Sequence, residues 1–91
     1  MDKKECLVAT LDFCGGRNYP QEVLREVLKQ ARIKARKLVL VSKCGKELDV
    51  LPAVRYIAAE NMDFPVRHYH QTEVERAVAL EKCTTFEIIN L

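Results

Sequence analysis

The chain has no Cys-x-x-Cys pair and no cysteine–histidine spacing of a zinc module. Its four cysteines, at 6, 14, 44 and 83, therefore read as free, mostly buried thiols, and neither a structural metal nor a disulfide framework is expected. Long apolar stretches are also missing. Runs such as Leu38 to Val41 fall far short of a bilayer span, so no membrane-spanning segment and no membrane partner are expected. Met1 to Glu5 is polar and is followed by no apolar core with a small-residue cleavage site, so the expected location is the cytosol or an equivalent reducing compartment. Linkers, low-complexity segments and internal repeats are absent, and 91 residues then make one domain, 1–91. No excess of one charge stands out either, since a net charge of +2 neither demands nor excludes an anionic partner.

What is present is an alternation of buried strands and amphipathic helices in a chain 48% hydrophobic and 31% charged, the balance of a globular domain. Cys6 to Phe13 reads as a buried strand and Cys14 to Tyr19 as a glycine turn. A helix opened by Pro20 follows, with Val23, Leu24, Val27, Leu28 and Ala31 on its buried face. Lys37 to Ser42 is a continuous apolar run that suits a strand covered on both sides. Asp49 is expected to cap a second helix reaching Asn61 or Met62, with Val50, Val54, Ile57 and Ala58 inside and Pro52 in its first turn. Pro65 introduces a third strand, Val66 to His70, whose polar content suits a sheet edge. Thr72 and Glu75 have the spacing of a capping box opening a third helix, and Thr84 to Leu91 is the last strand. The order β-α-β-α-β-α-β predicts a three-layer α/β/α Rossmann-like domain on a mainly parallel four-stranded sheet.

In such sheets ligands bind beyond the carboxyl ends of the strands, where strand order reverses. Cys14 to Tyr19, Lys43 to Leu48 and His70 to Thr72 should share that rim. Gly15 and Gly16 let backbone approach a ligand, Arg17 and Asn18 add a cation and an amide, and exposed N–H groups at a helix start suit an anion. Gly45, Lys46 and Asp49 complete the candidate binding set from the second turn, and Asp12 or Asp49 can orient a ribose or cap a turn. The glycine turn is neither a Walker loop nor a Gly-x-Gly-x-x-Gly fingerprint.

A second candidate is the basic stripe Arg25, Lys29, Arg32 and Arg36, continued by Lys34 and Lys37, which can follow a phosphate backbone or simply be a solvated face. No aromatic lies among these residues to stack on a base. Cys14, at a strand end before a helix, has the setting of a nucleophile. It lacks a nearby resolving cysteine and the arginine six positions on that a phosphatase loop needs, so a passive thiol is expected. His68 and His70 share a strand face without a third metal ligand, and hydrogen-bonded histidines are the expectation.

Two resemblances bear on the choice. Gly15-Gly16-Arg17-Asn18-Tyr19 is similar to the Gly-Gly-Arg-Asp-aromatic turn of the small Rossmann-like proteins of the SLOG superfamily, Asp49 and Leu51 fit that superfamily's second turn, and Phe64-Pro65-Val66-Arg67 resembles its third-strand entry. That resemblance implies a nucleotide or related phosphate-bearing ligand. Lys37 to Leu40, Pro65 to Tyr69, Thr72 to Val74, Thr85 to Ile89 and, in part, Gly16-Arg17-Asn18 resemble the kink-turn RNA-binding ribosomal-protein family. That resemblance implies RNA binding on an α/β/α sandwich. The leading expectation is a small non-catalytic module holding a nucleotide or other phosphate group at Gly15 to Asn18, without a cofactor or catalytic residues. The alternatives are an RNA-binding protein using Arg17, Arg25, Lys29, Arg32 and Arg36, and a structural protein that forms a homodimer.

Overall fold

A computed structural model describes residues 3–16 and 18–91. Four strands, β1 (Cys6–Asp12), β2 (Leu38–Lys43), β3 (Val66–His70) and β4 (Phe86–Asn90), form one sheet in the order β3-β2-β1-β4, every neighbouring pair parallel. Three helices, α1 (Gln21–Lys34), α2 (Glu47–Glu60) and α3 (Val74–Leu80), make the crossovers. The expected α/β domain with a parallel four-stranded sheet is therefore the fold, with β3 on an edge as its polar content required.

Side-chain alternation divides the core in two. Leu7, Ala9, Leu11, Leu38 and Leu40 meet Leu24, Val27, Leu28 and Ala31 of α1 and Val50 and Ile57 of α2. On the opposite face Cys6, Val8, Val39 and Val41 meet Ala77 and Val78 of the short α3 and Cys83, with Tyr69 and Val74 partly buried against them. The central strands are buried on both sides because β1 and β2 each have a strand on either flank and helices above and below; Leu38 to Val41 are wholly inaccessible. Truncating one of those leucines to alanine should cost about 2–5 kcal/mol. Among the described residues no helix is long and apolar enough to cross a membrane.

Several local expectations are corrected. Helix α1 begins at Gln21, with Pro20 as its extended N-cap, and stops at Lys34, where the Ala35 N–H bonds the Ala31 carbonyl and Ala35 bridges to Lys4. Arg36 thus leaves the helix face it was expected to share. Helix α2 begins two residues before Asp49, with Lys46 as N-cap, so Pro52 lies in the second turn and Ala58 is exposed. Asp49 is instead a first-turn carboxylate facing the positive end of the helix dipole. The capping box does not form, because the Thr72 hydroxyl donates to the His70 carbonyl at 3.2 Å and Glu73 takes the N-cap position. Most consequential, the cysteines are not free: Cys6 is disulfide-bonded to Cys83 and Cys14 to Cys44. Each pairing follows from strand order, which sets the start of β1 beside β4 and the turn after β1 beside the turn after β2.

Candidate functional site

The carboxyl ends of the strands bring the expected turns to one rim. Strand β1 ends at Asp12, in register with Lys43 at the end of β2, and the Phe13 N–H still bonds the Lys43 carbonyl at 3.0 Å. Beyond that bond the two chains diverge into their turns and are joined again by Cys14–Cys44.

The glycine turn starts as a single 3-10 turn, Cys14–Gly16, with Gly15 at φ 68° and the Cys14 N–H donating to Asp12 Oδ1 at 2.9 Å. A Cβ at Gly15 would have nothing within 4 Å, so this side of the turn is open. Gly45, at φ 69°, differs: a Cβ there would come within 2.9 Å of Phe13 Cβ. Glycine at 45 thus serves both a left-handed backbone and a close approach of the second turn to the first.

The turn does not pass straight into the helix. Asn18, Tyr19 and Pro20 intervene, so the free amides at the start of α1 belong to its own first turn and not to Gly15 and Gly16. Tyr19 accounts for the detour. Its hydroxyl accepts the Asp12 N–H and donates to the Asp12 carbonyl at 3.1 Å or the Leu91 carbonyl at 3.4 Å, while its ring packs edge-on against Phe13. Strand order reverses between β1 and β4, and that crevice is where Tyr19 sits. The space a ligand was expected to use is filled by a side chain of the turn itself.

The opening lies one step sideways, between α1 and α2. A pocket of about 250 Å³ is walled by Phe13, Tyr19 and Tyr56, floored by Leu24 and Ala53, and lined with polar groups by Asn18, Gln21 and Asp49. Two of the expected ligand-binding residues, Asn18 and Asp49, meet here. Gly15 stands exposed outside it, Gly45 is packed on Phe13, and Lys46 is exposed at the start of α2. Gly16 closes the 3-10 turn, and Arg17 lies outside the described residues. The aromatic walls were missed in the sequence, although Phe13 and Tyr19 bracket the glycine turn and Tyr56 falls on the α2 face that meets α1.

Four of the six basic residues of the stripe come with acids. Arg25 pairs with Glu60 at 3.4 Å and bonds the Tyr56 hydroxyl, Arg32 pairs with Asp63 at 3.2 Å, Lys34 with Glu87 at 3.3 Å and Lys37 with Glu81 at 2.9 Å. The field a polyanion would meet along this helix is correspondingly reduced. His68 and His70 share a face as expected, with ring centroids 6.3 Å apart, and Ser42 Oγ is 2.8 Å from His68 Nε2. Burial, with a smaller contribution from neighbouring His70, holds the His68 imidazole below its ordinary pKa against the opposing charge of Glu47. Comparison with protein-family models, curated proteins and solved structures finds no match to this chain.

Proposed function

We propose that the domain is a non-catalytic binding module for a nucleotide or another phosphate-bearing ligand. The nucleoside portion occupies the pocket between α1 and α2, and the phosphate lies outward at the Gly15 to Asn18 turn. The observation that carries this reading is an aromatic-walled pocket, of nearly the size of small-molecule sites, opening between two strand-to-helix turns at the carboxyl rim of a parallel sheet. Tyr19 and Tyr56 offer faces for a base. Asp49 and Asn18 offer an acceptor and an amide for ribose hydroxyls. A carboxylate lining the pocket repels phosphate, which favours the charged end lying outward, toward the open side of the turn at Gly15 and the exposed Lys46 at the start of α2. The likeness of Gly15 to Tyr19 to the SLOG turn supports the same reading.

The test is a thermal-shift panel of nucleoside mono-, di- and triphosphates, with inorganic phosphate and free nucleosides as controls. A ligand at about a hundred times its dissociation constant should stabilise the domain by about 2.7 kcal/mol. The gain should fall with Asp49→Ala for nucleosides and nucleotides, and with Arg17→Ala only for the phosphorylated ones. No shift across the panel rejects the reading. Affinity for RNA that drops steeply with salt and with neutral residues at 25 and 29 would favour the RNA-binding alternative, and a doubled mass on sizing without any ligand would favour the homodimer.

A further inference from the structure

The outer side of the same rim gathers a different chemistry. Asp12, Cys14 and Cys44 bring a carboxylate oxygen and two sulfurs within 4.8 Å of one another. Asp12 closes β1 beside Lys43, the residue before Cys44, and the Cys14 N–H holds the carboxylate through Oδ1. The backbone of Asp12 is itself pinned by the Tyr19 hydroxyl on both its N–H and its carbonyl. Asp12 therefore stands on a fixed strand end, and Cys14 and Cys44 sit in the adjacent turns after β1 and β2, held to each other by their disulfide. Cys14 and Cys44 are both exposed, with Cα atoms 5.0 Å apart, whereas Cys6 and Cys83 are inaccessible or nearly so.

We propose that Cys14, Cys44 and Asp12 form a binding site for a thiophilic divalent cation of the zinc class, available once the Cys14–Cys44 bond is reduced. Exposure decides which of the two disulfides can be opened, since exchange requires a thiolate to reach a sulfur. A dithiol reductant supplies two electrons: its own sulfurs close into a disulfide, and Cys14 and Cys44 each take up a proton. The cation then displaces both protons to solvent and forms two metal–sulfur bonds and one bond to an Asp12 oxygen, with water completing a tetrahedron. Two thiolates beside one carboxylate select zinc or cadmium over magnesium or calcium, which demand oxygen donors. Disulfide and metal site exclude each other because they use the same sulfur electrons.

The test uses the full chain, reduced with a trialkylphosphine, freed of reductant under anaerobic conditions and titrated with cadmium. The proposal expects one cadmium per chain with the ultraviolet absorption of two thiolate–cadmium bonds, displaced by zinc, and no such band before reduction. C14S and C44S, each confirmed as folded by circular dichroism, should abolish the band at one equivalent. D12A should weaken binding at least tenfold, and C83S should leave it unchanged. Absence of a band in the reduced chain, a band indifferent to C14S, C44S and D12A, or a Cys14–Cys44 bond that the phosphine cannot open in the folded chain would each overturn the proposal.

Discussion

The two ends of the sheet are built on opposite plans. At the amino end, Cys6–Cys83 is buried, Glu5 accepts the Thr84 N–H and hydroxyl, and Glu81 gathers Lys37, Arg67 and the Tyr69 hydroxyl. Burial pushes the Glu81 carboxyl up, but those hydrogen bonds and the charges of Lys37 and Arg67 outweigh it and hold it below the usual range. At the carboxyl end the cross-link is exposed, Gly15, Cys44, Gly45 and Gln71 adopt positive φ, and a pocket opens. One end closes polar groups on one another; the other leaves backbone, sulfur and aromatic faces toward water. Parallel strands impose this division, because every strand-to-helix turn falls at the same end.

The largest expected effect comes from removing each cross-link in turn. Cys6 and Cys83 are 77 residues apart and Cys14 and Cys44 are 30 apart. On loop closure alone, replacing the first pair by alanine should cost about 4–5 kcal/mol and the second about 3–4 kcal/mol. Loss of buried sulfur at Cys6 widens that gap. Denaturant melts of the oxidised proteins check the order, and the reverse order would break the contrast between the two ends.

Next in size is a comparison within the open end. Gly45→Ala meets both a left-handed backbone and Phe13, and should cost about 2–3 kcal/mol, whereas Gly15→Ala meets only the backbone term and should cost about 1 kcal/mol. A difference of about 1 kcal/mol should appear as several degrees in melting temperature. Equal losses would mean that the two turns are not packed on each other.

The smallest effect is a pH dependence at His68. Its folded pKa lies below the unfolded value of about 6.5, so the unfolded chain binds the proton more readily. Stability should therefore be full above that value and decline as the pH falls through it. His68→Gln should flatten the decline that sets in as the pH falls below about 6.5. An unchanged slope would place the titration elsewhere.

The strands were legible because burial on both faces demands unbroken apolar runs. Leu38 to Val41 could be little else, and Val66 to His70 declared its edge position by its polar residues. Helix starts were less legible. Thr72 and Asp49 have the chemistry of caps, but the direction from which the chain enters decides whether that chemistry is used. The cysteine pairs were invisible to spacing, since residues 77 and 30 positions apart become neighbours only once strand order is known. Tyr19 was hidden for the same reason: its partners, Asp12 and Leu91, meet only when β4 lies beside β1. The glycine turn was found, but the pocket beside it depends on aromatics from two different helices' surroundings.

The most direct test of the open end as the binding end is a ¹H–¹⁵N chemical-shift titration of the intact chain with the best nucleotide from the panel. The account predicts perturbations grouped at Phe13 to Gln21 and at Cys44 to Tyr56, with Glu5, Lys37 and Glu81 to Thr85 unmoved. Perturbations centred on the amino end, or none at saturating nucleotide, would contradict it.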